Sequence, residues 1–280
     1  MAASAISFEK MSPKHLHGAL DLSAQAGWPH KKTDWEMSLT ISEGIVGLEN
    51  GRVIATVLMT PYGKDGATLN LVIVDESMRG QGLGRRLMAE ALALAGDRTL
   101  HLIATQEGVP LYEKLGFVAH SEIIQCQVPA IQTAAPENVT PATSGEFDQI
   151  ISLDRNAYGH DRSDLMHSMR TLAKFFVIRE DGTVQAFAAV RDFGRGKVLG
   201  PVVARKQDEA KALINSILSR NTGQFVRIDT DATTGLAPWL EPRGLMHAGT
   251  GVAMVRSGEL LIEVAQRSHW IFALASQAFG

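Results

Sequence analysis

The sequence has one cysteine, Cys126, among its 280 residues. A single thiol excludes an internal disulfide and a zinc site built from cysteines. Cys126 lies in the alternating segment 124–128, which is typical of a strand, so we interpret it as a packed thiol rather than a reactive nucleophile. The sequence also lacks an apolar run that could span a bilayer and a recognisable signal peptide. We therefore expect a cytoplasmic protein without a membrane partner.

No excess of positive charge is present. Lys and Arg total 27 against 30 for Asp and Glu, which gives a formal net charge of −3, and no run of basic residues occurs. Nucleic acids and anionic membranes attract basic surfaces, so neither is an expected partner. Hydrophobic residues make up 45% of the chain and charged residues 20%, as in ordinary globular proteins, and the length suits two domains.

The chain divides into two halves with the same order of sequence signals. We predict an N-terminal domain at 1–130, a linker rich in Ala, Thr and Pro at 131–144, and a second domain at 145–280. The first half contains a hairpin at 45–59, a strand at 69–74, a helix at about 85–95, a strand at 99–104 and a short helix at 110–116. The second half contains a hairpin at 175–191, a strand at 198–204, a helix at 208–220, a strand at 225–229 and a short helix at 238–241.

The two short helices carry the clearest sign of a duplication. The segment 110–117 aligns with 238–245, and Pro, Glu and Gly coincide. Chance similarity between short helices is the alternative, but the matching order of the preceding elements favours one α/β fold used twice.

Three alternate glycines, Gly80, Gly82 and Gly84, separate the strand at 69–74 from the helix at 85–95. This helix start has no Ser, Thr or Asp cap, so several N–H groups lack partners, and the helix dipole adds positive potential. Glycine lets the backbone approach a ligand closely. Arg79 before the glycines and Arg85 after them add positive charge. The loop is therefore a candidate phosphate site.

The glycine spacing separates the classes of phosphate ligand. A mononucleotide P-loop requires Gly-Lys-Ser/Thr, and no Lys follows these glycines. A dinucleotide fingerprint requires glycine where this sequence has Arg85 or Leu87. A protein-kinase glycine loop lies within a hairpin. A glycine-rich turn without a ligand is the remaining alternative.

The segment Val74–Gly84 resembles the pyrophosphate loop of the GNAT superfamily of N-acetyltransferases, and segment 111–117 resembles the second hallmark of that superfamily. Together they cover roughly residues 1–130. The second half resembles the degenerate C-terminal domain of tandem members, through segments 158–162, 199–201 and 228–229. The resemblance implies two domains, each a twisted mixed sheet flanked by helices, with two central parallel strands that splay apart.

The resemblance also implies that acetyl-CoA is the acyl donor. Its pantetheine arm would bond to the backbone of 71–74 in the splay, and its pyrophosphate would bind the glycine loop. The implied cofactor-binding residues are Leu71, Val72, Ile73, Val74, Arg79, Gly80, Gln81, Gly82, Leu83, Gly84, Arg85 and Thr105. The sequence departs from the family at Thr105 and Gly108, where Asn and Ala are frequent.

By the same resemblance, transfer is direct, without an acyl-enzyme. A backbone N–H near 72–74 would stabilise the oxyanion, and Tyr112 would be the general acid at the leaving sulfur. Packing on a short helix is the alternative role of Tyr112. The second half has Leu240 at that position and no glycines at 203–207, which favours a structural role or a wall of the acceptor site.

The acceptor side is less determined. The substrate-binding candidates are Trp28, Asp34, Tyr158 and Arg162. Arg162 would suit a carboxylate, and an ion pair joining the halves is its alternative role. The candidates for a general base are Asp34, Glu36, His30 and Glu107, and water can also carry the proton.

We expect an N-acetyltransferase that acts on a small amine such as an amino acid, polyamine or amino sugar, with no metal. A non-catalytic acyl-CoA sensor and an N-acetyltransferase of proteins or peptides are the alternatives. A homodimer is left open.

Overall fold

The computed structural model describes residues 6–131, 133, 135–257 and 267–280. The fold is mixed α/β, with helices on both faces of one large sheet. Among the described residues, no helix combines the length and the apolar character that crossing a membrane requires.

The elements alternate along the chain in the predicted order. The first half contains β1 (Ile6–Lys10), α1 (Leu16–Gln25), α2 (Lys32–Thr40), β2 (Glu43–Glu49), β3 (Arg52–Tyr62), β4 (Gly66–Val74), α3 (Leu83–Ala95), β5 (Thr99–Ala104), α4 (Val109–Lys114) and β6 (Val118–Pro129). The second half contains β7 (Val139–Pro141), α5 (Phe147–Tyr158), α6 (Ser163–Leu172), β8 (Ala173–Glu180), β9 (Thr183–Phe193), β10 (Gly196–Ala204), α7 (Gln207–Ser219), β11 (Phe225–Asp231), α8 (Ala237–Leu240), β12 (Met246–Arg256) and β13 (Trp270–Ala273). Strands β1, β7, β12 and β13 and helices α5 and α6 were not predicted, and β7 lies within the predicted linker.

Both predicted hairpins are present, and their turns have the same backbone geometry. Asn50 and Gly51 have φ angles of 50° and 79°, and Asp181 and Gly182 have φ angles of 49° and 76°. Positive φ at both central residues matches the right-handed twist of the flanking strands. The repeated turn supports the interpretation of one fold used twice.

The two halves exchange their last long strands. The strand order is β1-β2-β3-β4-β5-β12-β6-β11-β10-β9-β8-β7, so β12 of the second half pairs with β5 of the first. In return, β6 of the first half pairs with β11 of the second. The sheet is therefore continuous across the predicted linker. The domain boundaries 1–130 and 145–280 stay predictions. They divide the chain by its order in sequence, whereas the strands pair across that division.

The central strands β4 and β5 diverge as predicted. They pair in parallel only between Gly66–Thr68 and Thr99–His101, although β4 continues to Val74. A bulge lies in β4 at Leu71, whose φ is 49° and whose carbonyl oxygen accepts a hydrogen bond from Thr56 Oγ1 at 2.8 Å. The bulge turns β4 away from β5 and opens a groove between them.

The matching groove in the second half is filled by the chain itself. Strands β10 and β11 pair only at Lys197–Val198 with Val226–Arg227, and β13 then pairs antiparallel with β10. The backbone N–H of Leu274 donates to the carbonyl oxygen of Asp229 at 2.8 Å. A side chain at Gly200 would overlap the carbonyl oxygen of Leu274. Because β13 lies there, the open splay among the described residues is the one in the first half.

The buried faces follow the apolar stripes of the sequence. Helix α3 buries Leu87, Met88, Ala91 and Ala95 against β2, β3 and β4. Helix α7 buries Ala210, Leu213, Ile214 and Ile217 against the strands of the second half. Cys126 is buried on β6, where burial raises the pKa of its thiol to about 11, so the prediction of a packed thiol is confirmed.

Candidate active site

The open splay leads into a cavity of about 360 Å³ between the two halves. The first half lines it with residues 27–30, Leu69–Leu71 and Ile103–Thr105. The second half and strand β6 contribute Gln125, Gln127, Phe193, Arg195, Arg227, Ala248, Thr250, Ser276, Gln277 and Ala278. The cavity therefore lies directly beside the strand ends that the resemblance assigns to the thioester.

The glycine loop starts where β4 ends. Asp75 accepts hydrogen bonds from the backbone N–H and hydroxyl of Ser77, and these bonds, with Arg52 at 2.6 Å, lower the pKa of the Asp75 carboxyl. Gly80 and Gly82 then adopt φ angles of 77° and 76°, and α3 begins at Leu83. This left-handed backbone favours glycine, and it turns successive N–H groups in one direction.

The N–H groups of residues 80–85 bond to no acceptor in the described part of the chain. The first turn of α3 holds no acidic residue either. Unpartnered amides at a helix N-terminus, next to Arg79 and Arg85, form an arrangement suited to a pyrophosphate. The loop thus fits the group that the sequence assigns to it.

The equivalent helix start in the second half is closed to anions. Helix α7 carries Asp208 and Glu209 in its first turn. Glu209 Oε2 accepts a hydrogen bond from the backbone N–H of Arg205 at 3.0 Å, and Glu209 Oε1 binds the Arg205 guanidinium. Two carboxylates at this end repel a phosphate. The filled splay and this acidic cap act together against a second CoA site.

Tyr112 lies on α4, packed edge-to-face against Phe117 with ring centroids 6.0 Å apart. Only 8% of the residue is exposed, and burial raises the pKa of its hydroxyl to about 12. Helix α4 also packs near the glycine loop, because Leu111 would lie 3.4 Å from a Cβ at Gly84. The hydroxyl is therefore protonated at neutral pH, and Tyr112 packs in the core of the first half without lining the cavity.

Gly108 makes room for the Tyr112 ring. A Cβ at Gly108 would lie 3.0 Å from Tyr112 Cε2, which is tighter than ordinary contact. The carbonyl oxygen of Thr105 accepts the backbone N–H of Gly108 at 2.9 Å and links the end of β5 to α4. Gly108, where the family often has Ala, thus allows the ring of Tyr112 to pack closely, and Thr105, where the family often has Asn, bonds to Gly108.

The predicted substrate-binding residues lie in different places. Trp28 lines the cavity, and Asp34, Tyr158 and Arg162 do not. Arg162 is fully buried and donates to both carboxylate oxygens of Asp154, at 3.0 and 2.6 Å. Its guanidinium also stacks over Tyr158 at 4.0 Å and donates to the carbonyl oxygen of Phe279. The structure thus places this arginine in an internal ion pair within the second half.

Asp34 joins the two halves. Its Oδ2 accepts the backbone N–H of Lys31 at 2.7 Å, which caps α2, and the backbone N–H of Gly194 at 3.2 Å. Its Oδ1 lies 3.6 Å from the buried guanidinium of Arg191. All of these contacts are internal, so the carboxylate supports the β9–β10 turn next to the cavity.

Of the candidate bases, only His30 lines the cavity. Its Nδ1 lies 3.3 Å from Ser23 Oγ, which accepts the indole N–H of Trp35 at 3.0 Å. Burial, reinforced by Arg227 and Arg191, lowers the pKa of His30 to about 4. The imidazole is therefore neutral at physiological pH. Glu36 instead pairs with Lys32 on the exposed face of α2, and Glu107 lies exposed outside the cavity lining.

Sequence reasoning missed eight polar residues of the cavity lining: Asn70, Gln125, Gln127, Arg195, Arg227, Thr250, Ser276 and Gln277. One signal was available for Asn70, because it is an amide within an otherwise apolar strand. Arg227 and Asp229 also stand two residues apart in a strand, which places them on one face. Nothing in the sequence distinguished Arg195 from other arginines in turns.

Two family models described as acetyltransferase (GNAT) domain match the chain, one over residues 41–119 and the other over residues 150–273. The chain belongs to the GNAT superfamily. It carries two GNAT domains in tandem, as predicted, and it is an acyltransferase. Enzymes of this family use acetyl-CoA or another acyl-CoA as the donor.

Two curated relatives are similar to this chain over most of its length. The uncharacterized N-acetyltransferase YitH of Bacillus subtilis (strain 168) is 28% identical over 229 residues, which cover 79% of this chain and 80% of the relative. The holothin acyltransferase of Pseudoalteromonas sp. (strain SANK 73390) is 27% identical over 241 residues, which cover 84% and 80%. Both relatives are acyltransferases by name.

Solved structures show the same fold. A putative acetyltransferase from Pyrococcus horikoshii superposes with a TM-score of 0.84 at 17% identity, covering 100% of this chain and 98% of that one. A tandem GNAT protein from the clavulanic acid biosynthesis pathway gives a TM-score of 0.64 at 15% identity, covering 91% and 100%. The similarity to the first extends over both halves, so the arrangement of two joined GNAT units is not particular to this chain.

Proposed function

We propose that the protein transfers the acetyl group of acetyl-CoA directly to a primary amine of a small metabolite. The observation that carries this proposal is the open splay between β4 and β5, which leads from the glycine loop side into a cavity closed by the second half. The donor binds on the loop side and the acceptor binds in the cavity. The two ligands meet at the bulge of β4.

The donor is held by backbone groups more than by side chains. The amides of residues 80–85 bind the pyrophosphate, with positive charge from Arg79 and Arg85. The backbone of residues 71–74, which β5 leaves unpaired after the strands diverge, receives the pantetheine arm. Thr105, at the mouth of the splay, is the remaining cofactor contact.

In the proposed reaction the amine nitrogen attacks the thioester carbonyl carbon. A C–N bond forms, the C–S bond breaks, and the amine loses a proton to water. A backbone N–H in 72–74 stabilises the oxyanion. Tyr112 serves the leaving sulfur mainly as a hydrogen-bond donor. Its pKa of about 12 lies above the ordinary thiol value of about 8.5, so complete proton transfer to the thiolate is uphill.

The size of the cavity supports a small acceptor. Its volume of about 360 Å³ is at the lower end for sites that hold drug-sized molecules. The second half covers the face where an extended peptide would have to lie.

The test is release of free CoA from acetyl-CoA by the purified protein, with a panel of amino acids, polyamines, amino sugars and short peptides. Acceptor-dependent release with a small amine is expected. Mass spectrometry of the product establishes whether the new bond is an amide. Preferential acetylation of peptides would contradict the proposed substrate class, and failure of acetyl-CoA to bind in calorimetry would overturn the donor assignment.

A further inference from the structure

The acceptor cavity is positively charged. Two arginines, Arg195 and Arg227, line it, and no Asp or Glu side chain does so in the described part of the chain. The carboxylate of Asp229, which is fully buried, pairs with Arg227. It balances one of the two guanidinium charges, so the lining keeps an uncompensated positive charge.

Arg227 is held with its outer edge toward the cavity. Its Nε lies 3.1 and 2.9 Å from the two carboxylate oxygens of Asp229, and its guanidinium lies 5.5 Å from the centre of the Phe193 ring. Gln277 donates to Asp229 Oδ1 at 3.0 Å and fixes the carboxylate. The two Nη groups of Arg227 bond to no acceptor among the described residues, so they present a planar fork.

Arg195 provides the second charge from the turn between β9 and β10. The turn is anchored to the first half through the Gly194 N–H and Asp34. Arg195 forms no ion pair with any residue that the structure describes. An exposed guanidinium at Arg195 and an oriented one at Arg227, both lining the cavity, suit the binding of a small anion.

The opposite wall offers an acceptor for N–H groups. Asn70, only 5% exposed, lines the cavity next to the β4 bulge. Its Nδ2 donates to Thr60 Oγ1 at 2.9 Å, which fixes the orientation of the amide. Its Oδ1 is buried and has no hydrogen-bond partner among the described residues. A buried carbonyl oxygen in this position lacks a donor, and an amine supplies one.

We propose that the acceptor is an amino acid or a similar molecule that carries both an amine and a carboxylate. The carboxylate binds the fork of Arg227 with help from Arg195, and the amine donates to Asn70 Oδ1 beside the splay. This inference rests on the proposed function and narrows its substrate class. It disfavours polyamines, whose several positive charges oppose those of the two arginines, and amino sugars without a carboxylate.

The test compares each amino acid with its own carboxamide as acceptor. The two molecules share the amine and nearly the same size, and the amide has the more weakly basic amine, which favours its neutral form. We expect kcat/KM for the acid to exceed that for the amide at least about tenfold, which one charge-assisted hydrogen bond accounts for. Arg195→Gln should raise KM for the acid about tenfold, so that the ratio of kcat/KM between the acid and its amide falls about tenfold, while the Kd for acetyl-CoA stays the same.

Arg220→Gln is the matched control, because Arg220 is exposed in the second half and stacks on Phe176 outside the cavity. It should behave like the unchanged protein. Equal activity with acids and amides, or a preference for polyamines, would overturn this inference and leave the proposed function standing. No CoA release with any acceptor would overturn both.

Discussion

Asp34 Oδ2 accepts a hydrogen bond from the backbone N–H of Gly194 at 3.2 Å, although the two residues belong to different halves of the chain. The same carboxylate caps α2 through Lys31 and lies 3.6 Å from the buried guanidinium of Arg191. One side chain thus fixes a helix of the first half, a strand of the second half and the turn that carries Arg195. The acceptor cavity depends on this junction for its shape.

Replacing Asp34 should weaken the junction. The side chains of Asp34 and Arg191 are 6% and 4% exposed, so Asp34→Ala leaves a buried guanidinium without its partner. We expect the free energy of unfolding to fall by about 3 kcal/mol, measured by denaturant titration. KM for the acceptor should also rise, because the turn with Arg195 loses its anchor, whereas binding of acetyl-CoA should not change.

Glu36→Ala on the same helix is the control. Its carboxylate is 46% exposed and pairs with Lys32 at 3.3 Å, so its loss should change the free energy of unfolding by less than about 0.5 kcal/mol. A similar effect of both substitutions would show that Asp34 acts only as a helix residue.

Two glycines with the same φ allow the stability cost of a left-handed backbone to be distinguished from an effect on ligand binding. Gly82 and Gly182 both have a φ of 76°, and a Cβ at either position meets no atom within 4 Å. Alanine at either site should therefore cost a similar 1–2 kcal/mol of stability, roughly the left-handed penalty. Only Gly82→Ala should weaken acetyl-CoA binding, by at least about tenfold in calorimetry, because it displaces the amides of the loop. Equal binding by both variants would remove the loop from the donor site.

The local part of this architecture was readable from the sequence. The glycines at 80, 82 and 84, the apolar stripe of α3 and the Asn50–Gly51 turn all specify their own backbone, and each prediction is confirmed by the elements. The divergence of β4 and β5 was predicted only through the resemblance to the family, whose members share this feature. Trp28 lies at the cavity wall, and its role in substrate binding stays a prediction.

The long-range part was not readable. Strands β6 and β12 occupy matching positions in the duplicated order, so the pattern cannot show that each pairs in the other half. Arg162 and Arg227 likewise each stand near an aspartate in the sequence. Which arginine faces a cavity and which lies in an internal pair depends on the packing of the whole second half. The same limit left β13 and its filling of the second splay unforeseen.

Tyr112→Phe should slow turnover with little effect on folding. The ring keeps its contact with Phe117, and the hydroxyl has no hydrogen-bond partner in the described part of the chain. If the hydroxyl serves the leaving sulfur, kcat should fall about 10²-fold while the Kd for acetyl-CoA stays within about twofold.

Tyr62→Phe is the opposite control: its hydroxyl donates to the carbonyl oxygen of Phe279 at 2.6 Å, so the free energy of unfolding should fall by about 1 kcal/mol with kcat unchanged. An unchanged kcat in Tyr112→Phe would remove this residue from the mechanism.

Two histidines should make folding stability fall in mild acid. Burial lowers the pKa values of His30 and His101 to about 4, each reinforced by neighbouring cationic groups, whereas an unfolded histidine titrates near 6.5. The unfolded chain therefore binds more protons between these values, so the free energy of unfolding decreases as pH falls from 7.5 to 5, by about 2 kcal/mol for each histidine. Carboxylates stay largely ionised in this window. Denaturant titrations across this pH range give the free energy of unfolding at each pH. Its slope against pH should be shallower for His101→Phe than for the unchanged chain. A change in packing alone would shift the free energy by the same amount at every pH and leave the slope unchanged. Identical slopes would mean that His101 is already protonated, or equally accessible to protons, in the folded state.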